Sequence, residues 1–342
     1  MTGNIDKIKV LSQIFYSLCI GKGFLMTNVY KLPEILEALK RVDIVDIIGQ
    51  GFVSLSQNQV IIPPIGEMLF PESNGELHIK YGAIKNDTDF VIKMATGFFN
   101  NPQKGLPPFS GCMLVFSQHT GQIKAVLLEE GELTNHRTAA AGAVAAKYLA
   151  PKHIDRIGIV GTGVQARMQA LYLQKVTECR NISVWGRDVF KAKLAAQDMK
   201  NMGYQVEVST NLKDLCGNSQ LIVTSTPSCE PLLEADMIKP GTHITAMGSD
   251  THEKCELSVD ILELADIVST DSVDQAISRG EISHALQSNK IKKEDVVELG
   301  QIILDPSIGR KSDKQITITD LSGVAIQDIM IAKAITKILE SK

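Results

Sequence analysis

The sequence predicts an α/β protein with two domains, one built on a doubly wound parallel sheet and one a β-rich α+β domain. Three observations lead there. Short buried strands alternate with helices after Pro151. A glycine-rich turn, Gly161 to Ala166, closes the first of those strands. Between Leu77 and Leu128, strand-like runs are separated by Gly, Pro, Asn and Asp. At 342 residues the chain also exceeds one ordinary hydrophobic core.

Residues 10–20 are apolar and follow Lys7 and Lys9, but no small-residue cleavage pattern comes after them. A helix is expected there rather than a signal peptide. Met26 is an alternative start, which makes 1–25 an N-terminal extension. Apolar residues then recur at helical spacing over 32–48, with Pro33 in the first turn. Strands are expected over 77–84, 90–94, 112–117 and 123–128, with a loop over 100–108. The run 133–149 reads as a helix whose alanines allow close packing, and Pro151 ends it.

The pattern then changes. Strands at 156–160, 182–185, 206–208, 221–225, 243–247 and 267–269 are interleaved with helices at 165–176 and 189–202. Such alternation implies parallel βαβ units. A strand at 315–319 and a helix at 326–339 complete the chain.

Composition narrows the function. A net charge of -4 and 5% aromatic residues give no reason to expect nucleic acid. No apolar run is long enough to span a bilayer. The six cysteines, Cys19, Cys112, Cys179, Cys216, Cys229 and Cys255, form no C-x-x-C pair. They read as buried core residues in a cytoplasmic protein without metal ligation. The histidines show no ligand spacing either, and His136 reads as structural.

The strand 156–160 runs straight into Gly161-Thr162-Gly163-Val164-Gln165-Ala166 and then a helix. In that setting the turn is a Rossmann phosphate cradle. Gly161 permits the tight turn, Gly163 lets the backbone approach a pyrophosphate, and the helix N-terminus holds its charge. The second strand ends Trp185-Gly186-Arg187-Asp188. Arg187 suits the 2′-phosphate of NADP(H), while Asp188 keeps NAD(H) as the second choice.

Further segments occur in a fixed order. They are Thr134-Asn135-His136-Arg137-Thr138-Ala139-Ala140, the 161–166 loop, Met247-Gly248-Ser249-Asp250-Thr251-His252-Glu253-Lys254-Cys255-Glu256-Leu257, Glu298-Leu299-Gly300 and Asp320-Leu321-Ser322-Gly323-Val324-Ala325-Ile326-Gln327-Asp328. With these the chain resembles the ornithine cyclodeaminase/mu-crystallin family over nearly everything after about residue 26. The segments 97–102 and 246–250 are most similar to its ectoine-utilisation branch. The resemblance implies hydride transfer between a nicotinamide and the α-carbon of a small amino or imino acid, as in imine reductases and amino-acid dehydrogenases. It also admits cyclodeamination of the ornithine type without net redox change, and nicotinamide binding without catalysis. A homodimer is implied. Residues 1–150 and 320–342 would form the substrate and dimerisation domain, and 151–319 the dinucleotide domain.

Carried onto this sequence, the family's catalytic aspartate falls on Asp250 and its carboxylate-binding arginine on Arg137. Its active-site lysine falls on Lys93, a charge inside an apolar run. Lys93 is assigned both substrate binding and proton transfer, the alternative being a lysine that snorkels to water. Lys80 joins it as a carboxylate contact, or else faces water from an edge strand. Thr134, Thr226, Gly248 and Ser249 are assigned to the cofactor with Gly161, Thr162, Gly163, Val164, Gln165 and Arg187. Lys254 supports the loop of Asp250. Some members carry an arginine after the proline pair. Here Pro63-Pro64 is followed by Ile65-Gly66, which shifts the carboxylate burden to Lys80, Lys93 and Arg137.

Overall fold

The computed structural model describes residues 27–341. The 10–20 helix, Met26 and Cys19 lie outside the described residues. The first sheet contains β1 (Asn28–Lys31), β2 (Val60–Ile61), β3 (Gly66–Phe70), β4 (Gly75–Ile84), β5 (Asp89–Phe98), β6 (Phe109–Ser117) and β7 (Ile123–Leu128). Its order is β1-β7-β6-β5-β4-β2, with β3 also paired to β4. All pairs are antiparallel except β1 with β7.

Helices α1 (Leu32–Leu39) and α2 (Ile44–Ser56) lie beside this sheet. The sequence reads 32–48 as one helical run, and the structure breaks it at Lys40–Asp43. The Asp43 side chain accepts a hydrogen bond from the Asp46 backbone N–H, and this N-cap starts a new helix where continuation was expected. Strand β3 was not expected. Four of its five residues are exposed, so it lacks the alternation that betrays a half-buried strand.

Helix α3 (Glu132–Leu149) joins the two sheets. Its residues Ala139 to Ala146 are buried, and their small side chains let it pack against both halves in one continuous core. The second sheet contains β8 (Ile157–Val160), β9 (Asn181–Trp185), β10 (Gln205–Val208), β11 (Leu221–Thr224), β12 (His243–Ala246), β13 (Ile267–Thr270), β14 (Val296–Glu298) and β15 (Thr317–Asp320). Its order is β10-β9-β8-β11-β12-β15-β13-β14 and every pair is parallel. Helices α4 (Val164–Leu173) and α5 (Val189–Asn201) connect its first strands. This is the expected doubly wound α/β sheet, with β8, β11, β12 and β15 buried along their whole length.

The last helix, α6 (Ala325–Glu340), leaves β15 and packs back on β4, β5, α2 and α3. Cysteines 179, 216 and 255 are buried as expected, whereas Cys112 is half-buried and Cys229 is exposed. Cys229 follows β11 in a surface loop, where no neighbouring element covers it. Among the described residues no helix is long and apolar enough to cross a membrane.

Candidate active site

All the residues in question gather at the C-terminal ends of the parallel strands, where ligands of open α/β sheets bind. Gly161 follows β8 with φ of 128°. A Cβ there would lie 2.7 Å from Ser225 Oγ and 3.0 Å from its carbonyl oxygen, so only glycine fits. Gly163 caps α4 without a side-chain hydrogen bond, which leaves the first-turn N–H groups aimed into the loop. A cleft of about 450 Å³ opens here, lined by Gly161, Thr162, Gly163, Arg187, Asp188, Lys191 and Thr226. Arg187 and Lys191 are exposed on its rim.

Asp188 is otherwise engaged. Its Oδ1 accepts from the backbone N–H groups of Phe190 (2.9 Å) and Lys191 (3.2 Å), capping α5. The Gln165 side chain turns toward α3 and donates to the Asn135 carbonyl at 3.3 Å. Thr134 Oγ1 is buried with no hydrogen-bond partner, the one hydroxyl among the assigned cofactor contacts left in that state.

Thr226 and Gly248 are brought together by a residue that sequence reasoning quoted without a role. Glu256 Oε1 accepts from the Thr226 N–H (2.6 Å) and hydroxyl (2.7 Å). Its Oε2 accepts from the Gly248 N–H (2.8 Å) and the Thr224 hydroxyl (2.7 Å). One buried carboxylate thus fixes the loops after β11 and β12. Burial raises its pKa, and these donors pull the other way. Beneath it, Glu281 accepts from the N–H groups of Glu256 (2.8 Å) and Leu257 (3.1 Å), and burial pushes its pKa up to about 7. Ser249 lies under the loop, its hydroxyl donating to the Lys254 carbonyl.

Asp250 sits exposed at the mouth, with Lys254 Nζ 2.6 Å from its Oδ1. The protein atoms around the cleft oppose ionisation of the carboxyl, but Lys254 and Lys80 outweigh them and hold the pKa below the usual carboxylate range. Lys254 therefore supports the loop, as expected.

Deeper in, β4 and β5 place Lys80 directly opposite Lys93. Lys93 is 2% exposed and its Nζ lies 3.2 Å from Asp328 Oδ2. Arg137, on the first turns of α3, sets Nε 3.1 Å from Asp328 Oδ1 and donates from Nη1 to Gln327 Oε1 at 2.6 Å. Lys80 Nζ donates to the Gly323 carbonyl at 2.5 Å. The snorkelling and water-facing alternatives for the two lysines do not occur, because α6 covers this face of the sheet. Gly323 has φ of 80°, and a Cβ there would lie 2.9 Å from Arg137 Nη1. Its N–H donates to Asp271 Oδ2 at 2.7 Å.

Asp328 is the residue that sequence reasoning missed. It lies in a quoted motif, but nothing local marks it as the counter-charge of Lys93 and Arg137. Burial opposes its ionisation, while Lys93, Arg137 and Lys80 overcome this and hold its pKa below the usual range. The Lys93 pKa is lowered, first by burial and then by Arg137, against the pull of Asp328. Two cations, Lys93 and Arg137, meet one direct carboxylate, and Lys80 stands beside them on a neutral acceptor. No group of His, Cys, Asp and Glu among the described residues could hold a metal ion.

A glycine cradle beside a cluster of buried basic residues marks a Rossmann-fold protein. The chain belongs to the ornithine cyclodeaminase/mu-crystallin family, whose profile matches residues 26–342. It is 39% identical to an uncharacterised cyclodeaminase of Sinorhizobium fredii over 80% of this chain and 84% of that protein. Its fold matches the iminosuccinate reductase of Paracoccus denitrificans in complex with NAD+, with a TM-score of 0.83 and 29% identity over 92% of this chain and 97% of that one. It also matches an archaeal alanine dehydrogenase dimer with bound NAD, with a TM-score of 0.84 and 30% identity over 92% and 96% of the two chains.

Proposed function

We propose that this protein is an NAD(P)H-dependent oxidoreductase that moves a hydride between a nicotinamide and the α-carbon of a small amino or imino acid. The observation that carries the reading is the pocket in which Lys93 and Arg137 share one direct carboxylate, Asp328, while Lys80 beside them has only the Gly323 carbonyl. A substrate carboxylate would give these cations a second counter-charge. Arg137 can grip it through guanidinium N–H groups not spent on Asp328 and Gln327. Asp250, at the mouth, is placed to receive the substrate nitrogen.

The residues present fit a dinucleotide. The 161–165 backbone cradles the pyrophosphate at the α4 N-terminus, and the unpartnered Thr134 hydroxyl and the Glu256-braced Thr226 and Gly248 stand by. When bound, the nicotinamide supplies or accepts the hydride. NADP(H) is the preferred form in this reading. The Asp188 carboxylate is spent on the α5 cap instead of a ribose, while Arg187 and Lys191 offer two cations to a 2′-phosphate. The relatives named alanine dehydrogenase and iminosuccinate reductase support a small 2-amino or 2-imino acid as substrate. A homodimer is supported by exposed Met68, Leu69, Phe70, Phe99 and Phe109 on the first sheet and its loops.

The test is NADPH and NADH oxidation over a panel of 2-oxo acids with amines and of cyclic imino acids. Turnover is expected, and Asp250→Asn and Lys93→Met should each lower it by about 10²–10⁴ while cofactor binding survives. Unchanged turnover in both variants removes the mechanism. Cofactor binding without turnover of any amino or imino acid removes the enzyme reading. Ammonia and proline from ornithine, with no net change in nicotinamide, would replace it with cyclodeamination.

A further inference from the structure

We propose that Glu256 is a positioning residue of the reaction; this rests on the hydride-transfer reading above. Its carboxylate holds the wall of the nicotinamide site and the loop of Asp250 as one rigid body, and so sets where Asp250 stands against the nicotinamide. The sheet order reverses between β8 and β11. A dinucleotide lies across such a switch point, one half on each side. The 161–166 loop and Arg187 follow β8 and β9, so they take the pyrophosphate and the adenosine half. The nicotinamide half is left to the loops after β11 and β12, which carry Thr226 and the run from Gly248 to Asp250.

Glu256 lies beneath both loops and is 0% exposed, so it acts through them. Each of its oxygens meets one backbone N–H, that of Thr226 on Oε1 and that of Gly248 on Oε2. The Thr226 and Thr224 hydroxyls add a second donor to each oxygen. The two loops also touch directly. A Cβ at Gly248 would run into the Thr226 carbonyl oxygen and lie 2.5 Å from Glu256 Oε2. Between Gly248 and Glu256 the chain closes on itself, through the Ser249 hydroxyl on the Lys254 carbonyl and Lys254 Nζ on Asp250 Oδ1. One carboxylate therefore anchors Thr226 on the cleft wall and Asp250 at the mouth. Glu281, accepting from the N–H groups of Glu256 and Leu257, holds the backbone of the brace from below.

The count of donors and acceptors requires a carboxylate at this position. A glutamine offers an oxygen to one loop and an NH2 group to the other. The threonine hydroxyls can rotate to accept from that group, but a backbone N–H cannot. Whichever way the amide turns, one loop faces it donor to donor, and a buried N–H loses its partner. That loop must shift to reach water, and binding of the nicotinamide must draw it back. A displacement of about 1 Å at the reacting groups costs about 10² in rate.

The experiment compares Glu256→Gln with wild type in NADPH affinity, in affinity for ADP-ribose 2′-phosphate, and in kcat for reduction of a cyclic 2-imino acid. ADP-ribose 2′-phosphate carries the adenosine half and the pyrophosphate without the nicotinamide. Glu256→Gln should bind it as tightly as wild type, because the 161–166 loop does not lean on the brace. NADPH should bind about 10–100-fold more weakly, the cost of one buried N–H left unpaired. The kcat at saturating NADPH should fall by about 10². Equal weakening of both ligands overturns the proposal, since it marks a general loss of structure. NADPH affinity or kcat unchanged from wild type overturns it as well. If the wild type turns over no amino or imino acid, the hydride-transfer reading falls, and the split between the two affinities alone decides the brace. If Glu256→Gln does not fold, amide hydrogen exchange in the cofactor-free wild type decides, read by NMR. Thr226 and Gly248 N–H groups protected as strongly as those of β11 support the brace. Exchange of either at the rate of an exposed loop, with protection gained only on adding NADPH, overturns it.

Discussion

Lys80 and Lys93 stand directly opposite each other on β4 and β5, yet only Lys93 reaches a carboxylate. Two ammonium groups on neighbouring strands repel, and the protein resolves this by giving them different partners. Asp328 fixes one, and a backbone carbonyl holds the other. The pocket's behaviour should follow from that asymmetry.

Asp328→Asn removes the direct counter-charge of both Lys93 and Arg137 in the interior. Breaking a buried pair by deleting one partner costs about 3–5 kcal/mol. Denaturant unfolding of Asp328→Asn should show a loss of that order. A loss under about 1 kcal/mol would mean that water or another acid already screens these cations.

Gly323→Ala places a Cβ against Arg137 Nη1 in a backbone region that side chains rarely adopt. The strain alone is about 1–3 kcal/mol. The substrate KM should rise as the guanidinium is displaced, while NADPH affinity, read by fluorescence titration, stays within a few-fold. Equal losses of both affinities would point to general unfolding instead.

Arg187→Ala should weaken NADPH more than NADH, shifting the ratio of their kcat/KM values by about tenfold or more through loss of one charge-assisted contact. Asp188→Ala should leave that ratio nearly unchanged and cost about 1 kcal/mol of stability as an N-cap deletion. A marked shift in the ratio with Asp188→Ala would show that the carboxylate does serve the ribose.

Glu281 gives a pH signature with a definite sign. In the folded protein burial raises its pKa from the ordinary 4.5 to about 7. The protonated form is therefore the one that folding favours. The associated stability is present in full below the unfolded pKa and is lost as pH rises through about 7. The size is on the order of 3 kcal/mol at most. Glu281→Gln cannot ionise, so its stability relative to wild type should improve between pH 5 and 8 in paired urea melts. A constant difference across that range would place the Glu281 pKa near its ordinary value.

The legible parts of the fold are those set by local pattern. Strand β7 falls where its turn-bounded run puts it, and the 161–166 loop declares itself through the buried strand before it and the helix after it. Lys93 is conspicuous as a charge within apolar neighbours. The pairing that makes it useful was hidden, because Asp328 sits on an ordinary-looking helical stretch and acquires meaning only through contact with β5. Glu256 was hidden for the same reason, since its four donors come from two separate segments, 224–226 and Gly248. For Gln165 and Ser249 the positions could be read from motifs, but their side chains turn to Asn135 and to the Lys254 carbonyl. Residue identity locates a loop more readily than it tells which way a rotamer points.

The return of α6 to the first sheet bears on how the molecule is made. Gln327 meets Arg137 across 190 positions of chain. During synthesis the strands carrying Lys80 and Lys93, and the helix carrying Arg137, emerge well before the segment that neutralises them. Until then their mutual repulsion opposes compaction, and this face of the sheet stays hydrated. A chain cut before Ala325 would leave Lys93 and Arg137 without Asp328 and Gln327, and this face of the sheet without its cover.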